Sequence, residues 1–90
     1  MTSADPADLR REILRALYQR RAAALSAGHL STILSRKTGD RVTTDQVNVE
    51  LKFLDGHALT ESHPDPLGSV VYHSLSPDGI LYCERHDLTD

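Results

Sequence analysis

The chain has 90 residues, room for one domain and one core. Its 39% hydrophobic and 26% charged residues are a globular balance, and 4% aromatics leave the core to Leu, Ile, Val and Ala. No apolar run approaches the roughly 20 residues of a membrane helix; the stretch Met1 to Asp8 is too polar for a signal peptide; and a single cysteine, Cys83, excludes an internal disulfide and fits a reducing cytoplasm. The expectation is therefore a soluble cytoplasmic protein with no membrane partner.

Charge is unevenly spread. Through Arg41 there are eight Lys and Arg against four acids, net +4; from Val42 onward only Lys52 and Arg85 face nine acids, net −7, so the whole chain carries −3. Nucleic-acid binders are more often basic, so any partner has to suit this polarity.

In chain order, Asp5-Pro6 suits a helix start, with Asp5 as cap and Pro6 in the first turn. Leu9, Ile13 and Leu17 then recur at helical spacing, which predicts helix one over Ala7 to Ala24. Its apolar arc is wide, and Leu14 and Tyr18 stand out as candidates for a dimer surface. Leu25-Ser26 is a break, or a very short strand, and Ser26 caps helix two over Ala27 to Arg36. There Leu30, Ile33 and Leu34 form the buried stripe and Gly39 stops the run. Thr43-Thr44-Asp45-Gln46 fits a capping box opening helix three, which carries Val47, Leu51 and Leu54 at i, i+4, i+7 and ends at Asp55-Gly56-His57.

The period then becomes two. Ala58 to His63 and Ser69 to Leu75 read as strands joined through the turn-rich His63-Pro64-Asp65-Pro66-Leu67-Gly68, a hairpin with a six-residue tip. Ser76-Pro77-Asp78-Gly79 opens a last helix held down by Ile80, Leu81 and Cys83, and His86 to Asp90 is expected to fray. The whole is one domain over residues 1–90, with an ordered core of about 7–86.

Helix, short helix, turn, helix and hairpin is a winged helix-turn-helix order. The run Thr43 to Leu54 resembles the reading helix of that family. Leu59-Thr60 resembles its entry to the wing, and Tyr72 to Gly79 its step from wing to final helix. A narrower resemblance, through T-x-D-x-V-x-x-E-L-x-x-L, is to small stand-alone winged-helix proteins of Mu-like prophages. The resemblance implies an α+β winged helix-turn-helix fold: a three-helix core, a two-stranded hairpin wing and a short C-terminal helix. It implies a small DNA-binding transcriptional regulator of bacterial or prophage origin, acting on double-stranded DNA as a homodimer. Thr44, Gln46, Asn48 and Lys52 would face the bases; Arg36, Lys37 and Arg41 would meet the backbone; His63 and Ser69 would sit at the wing tip.

Against this, Asp45, Glu50 and Asp55 share the third helix with one base, Lys52, and the wing has no Lys or Arg. Good binders neutralise ~6–10 phosphates. An alternative is a protein-interaction module on the same scaffold, using the acidic third-helix and wing face on a basic partner. No glycine-rich phosphate loop, G-x-S-x-G or H-E-x-x-H occurs, so no catalytic residues are expected. Cys83, Glu84, His86 and Asp87 are a compact set of ligand types, but one Cys-x-x-His is not the four-ligand set of structural zinc, so no metal or cofactor is expected.

Overall fold

The computed structural model describes residues 5–89, so the sequence readings of residues 1–4 and of Asp90 lie outside the described residues. The elements are α1 (Pro6–Gln19), β1 (Leu25–Ser26), α2 (Ala27–Thr38), α3 (Thr44–Gly56), β2 (Thr60–Pro64), β3 (Val71–Leu75) and α4 (Pro77–Arg85). Three helices enclose an aliphatic core: Ile13 and Leu17 from α1, Leu30 and Leu34 from α2, and Val47, Leu51 and Leu54 from α3. Cys83 of α4 closes it. Each such Leu or Ile contributes roughly 1.5–3 kcal/mol by leaving water. No helix among the described residues is long and apolar enough to cross a membrane.

Start signals behave as their chemistry requires. Ser26 accepts from His29 N–H, Ser76 from Gly79 N–H, and Thr43 and Gln46 form a reciprocal capping box. Asp5 is the exception: its side chain caps nothing, and its carbonyl accepts from Leu9 N–H. Helix one is shorter than its pattern suggests. It ends at Gln19, and residues 20–24 form turns that lead into β1, from which Leu25 packs in the core. Helix two runs two residues further than expected, to Thr38, where Gly39 at φ 77° ends it.

The sheet has three strands in the order β1-β3-β2, all antiparallel. The hairpin register pairs Thr60 with Leu75 and Pro64 with Val71, leaving a six-residue tip at residues 65–70. Asp65 stiffens the tip, accepting from Leu67 N–H with its side chain and from Gly68 N–H with its carbonyl. Leu67 stands at the apex, 96% exposed.

α3 ends at Gly56, as expected, and α3 and α4 close in the same way. After α3 the left-handed residue is Ala58 (φ 59°) and not Gly56; Leu59 N–H bonds Leu54 C=O and Ala58 N–H bonds Asp55 C=O. After α4 it is Asp87 (φ 57°), and Leu88 N–H bonds Cys83 C=O at 2.8 Å. Both are Schellman turns, which satisfy free carbonyls and tuck an apolar residue back on the helix. Leu88 is accordingly buried, so the end of the described chain does not fray, while Leu81, expected to pack, is 45% exposed.

The turn after α3 makes a seat for α4. Ser76 N–H donates to Leu59 C=O at 3.1 Å, and Ser76 Oγ donates to Ala58 C=O at 2.5 Å. A Cβ on Gly79 would stand 1.9 Å from that Leu59 oxygen. Gly79→Ala is therefore expected to lower the unfolding free energy by about 1–3 kcal/mol, the range for overpacking, read by urea denaturation. A substitution at Gly28, where a Cβ meets nothing within 4 Å, is the control.

Candidate nucleic-acid interface

α3 turns Val47, Glu50, Leu51 and Leu54 inward and so leaves Thr44, Asp45, Asn48, Val49 and Lys52 facing out. Three of the four residues expected to face bases lie on this row. Thr44 Oγ1 also lies 3.4 Å from Ser31 Oγ of α2. Gln46 is exposed, but its Oε1 accepts Thr43 N–H at 2.8 Å, so its amide oxygen is spent on the capping box and only its NH2 remains for a partner. The row includes Val49, 62% exposed, which the sequence reading passed over. The helical spacing of the buried residues is the signal that would have found it.

The acid count on this face falls once partners are known. Glu50 is buried and receives Arg10 Nε at 2.6 Å, an ion pair facing α1. Arg10 also lies 3.5 Å over the Phe53 ring, a cation–π contact. Asp55 turns to the base of the hairpin, where it accepts from the hydroxyls of Thr60 and of Ser62, the latter at 2.6 Å. Of the three acids read onto this helix, Asp45 alone stays on the outward row.

The basic residues sort in the same way. Lys37 Nζ lies 3.0 Å from Glu12 Oε1 of α1, so it faces the back of the domain. Arg36 and Arg41 are exposed and without an ion-pair partner among the described residues. Arg11 and Arg15 pair with Asp8 and Glu12 along α1. The wing residues separate: Ser69 lies in the tip, whereas His63 lies within β2, its Nε2 2.7 Å from Ser74 Oγ across the hairpin.

Leu14, read as a dimer candidate, is 2% exposed and belongs to the chain's own core. Tyr18 is half-buried; its hydroxyl donates to Glu84 Oε2 at 3.0 Å, which raises its pKa, and Arg21 lies 4.2 Å over its ring. The C-terminal ligand types do not converge. Cys83 is fully buried with its thiol on Leu14 C=O at 3.7 Å, Glu84 meets Tyr18, and His86 stacks on Tyr82. Burial pushes the Cys83 thiol up to about 11.

His73 of β3 is 6% exposed and lies between α3 and β2, its Nδ1 3.5 Å from Ser62 Oγ. Burial lowers its pKa, partly opposed by Asp55 and reinforced by His63.

Two outcomes follow. Arg10→Ala strands a buried carboxylate and should cost about 1–3 kcal/mol, whereas Arg11→Ala breaks an exposed pair and should cost under about 1 kcal/mol; chemical denaturation compares them. The folded state disfavours protonated His73, so the unfolded chain binds more protons below its ordinary value of 6.5. The stability present above that pH is therefore lost as pH falls below it. The thermal midpoint should drop toward pH 5, and drop less in His73→Gln.

No family model and no curated protein matches this chain. Solved structures do. The S. aureus MepR–DNA complex superposes with a TM-score of 0.75 at 18% identity, over 89% of this chain and 60% of that one. Apo MarR from E. coli gives 0.70 at 25% identity, over 88% and 54%. An apo double mutant of Lactococcus lactis ZitR gives 0.71 at 18%, over 91% and 56%. The chain thus spans little more than half the length of the proteins it resembles. Four helices and a three-stranded antiparallel sheet in this order, superposing on these proteins, make its fold a winged helix-turn-helix.

Proposed function

We propose that this chain is the duplex-DNA-binding module of a transcription regulator, seated with α3 in the major groove, and that it performs no enzymatic chemistry. The observation that carries the reading is the outward row of Thr44, Asn48 and Lys52 with Val49 beside it, on the third helix of this fold. Two similar structures support it: MepR was solved as a DNA complex, and a MarR mutant was solved with operator DNA. In this reading Asn48 offers the paired donor and acceptor that adenine requires, Lys52 reaches guanine or phosphate, and Val49 meets a thymine methyl. Arg36 and Arg41 supply backbone contacts. With so few cations, one copy binds weakly, and pairing as a homodimer uses the module twice. Leu14 is not available for that pairing, because it is already buried.

The acidic interaction surface of the alternative reading is reduced by the same geometry, since Glu50 and Asp55 are engaged within the chain. The prophage origin rests on the short α3 pattern; phage structural or transposition genes beside this one would support it, and their absence from the neighbourhood would remove it.

Fluorescence anisotropy with a duplex library at low salt (~50 mM) tests the function. Lys52→Ala should weaken binding across sequences and reduce the salt slope by about 1. Asn48→Ala should cost about 1–3 kcal/mol and relax the preference at one base pair. Absence of any duplex binding at low salt overturns the reading.

A further inference from the structure

Two concavities, of about 410 and 380 Å3, flank the same three residues, Asn48, Val71 and His73. Lys52, Asp55 and Ser62 line the first; Ser26, Ala27 and Gly28 at the start of α2, with Ser69 of the wing, line the second. Together they make one trough between α3, the wing and the N-terminal end of α2. Of the buried polar side chains, Glu50 has Arg10, Thr60 has Asp55, and Ser76 has Ala58 and Gly79. His73 is only half satisfied. Ser62 gives its one proton to Asp55, so a hydrogen bond across the 3.5 Å contact of His73 Nδ1 with Ser62 Oγ has Nδ1 as its donor. That leaves Nε2 an acceptor with no partner among the described residues, on a residue only 6% exposed that lines both halves of the trough.

We propose that this trough holds one phosphate of a duplex backbone, and that His73 takes up a proton on Nε2 as the phosphate seats. The inference rests on the DNA-binding reading above. A bare acceptor repels a phosphate oxygen; with one proton from solvent it becomes a cationic donor, and the bond is charge-assisted. Lys52 and Asn48 approach from α3. The first turn of α2, which carries no acidic residue, adds the positive end of a helix.

The charged groups facing His73 set the threshold. From α3 Asp55 favours the protonated ring, and from β2 His63 disfavours it; Lys52 of α3 lines the same trough, and a cation there disfavours a second one. β1 places apolar Leu25 opposite, and α2 brings Ala27 and Gly28, without charge. With burial dominant, the ring of the free protein is neutral at pH 7. A phosphate reverses the balance, because an adjacent opposite charge favours the charged form. This supplies a cation to a wing that has no Lys or Arg anywhere between Lys52 and Arg85.

The test is duplex binding by anisotropy from pH 8 to 5.5 at constant ionic strength, for the wild-type chain, His73→Gln and His63→Gln, with the ring resonances followed by NMR. Affinity should rise on acidification, by up to about tenfold per pH unit for one linked proton. The rise should persist in His63→Gln and vanish in His73→Gln. In the wild-type chain, which needs no variant to fold, the midpoint of the His73 ring should move up when duplex is added. Duplex binding that is flat with pH, or an unmoved His73 midpoint, overturns the proton-linked site and leaves DNA binding standing. No binding at any pH overturns both.

Discussion

The base of the wing closes on one joint, beside its pairing with β1. The turn after α3 presents the carbonyls of Ala58 and Leu59, and the start of α4 takes both through the hydroxyl and the N–H of Ser76. Gly79 lets the two segments close, since any side chain there meets the Leu59 oxygen. Because β2 leaves this joint and β3 returns to it, the base of the hairpin is fixed at both ends. That is what brings Thr60 and Ser62 under the carboxylate of Asp55 and sets Ser62 beside His73. Loosening the joint would free the angle between α3 and the wing, and with it the trough they share.

A second constraint is electrostatic. The chain is polarised from end to end, but folding joins the two halves at specific points. Arg10 reaches across from α1 to neutralise Glu50, the buried acid of α3; within the first half, Lys37 of α2 folds back on Glu12. Such pairs are weak evidence of stability, since desolvation offsets much of their attraction. Their larger effect is on what solvent and a partner see: an outward face of α3 with Asn48 and Lys52 forward and two of the helix's three acids withdrawn.

Much of the architecture was legible in the sequence because its signals are local. The Thr43–Gln46 box, the Ser26 and Ser76 caps and the Val47, Leu51, Leu54 stripe each need only a few neighbouring residues, and all are present in the structure. The misreadings have non-local causes. α3 ends at Gly56 as read, but the left-handed turn that follows at Ala58 went unseen, because Leu59 has to pack beneath the helix and meet Ser76. Leu14 looked like part of a surface arc, although α4 covers it through Cys83. Glu50 could not be told from an exposed acid without knowing that Arg10 lies opposite, forty positions away. The site was less legible than the fold for the same reason. Gly28, Ser69 and His73 share a trough only after the hairpin docks, and nothing in their spacing announces it.

The closing helix carries one further consequence. Its only thiol sits at zero exposure, protonated far above neutral pH, with its hydrogen bond turned inward to the Leu14 carbonyl. While the domain is shut, covalent cross-linking of two copies through Cys83 is foreclosed, and so is attack by oxidants or alkylating reagents, which require an accessible thiolate. The cysteine becomes chemically visible only when α4 lifts from α1. Its labelling rate is therefore a clock for the opening of this helix, built into the chain without any added probe.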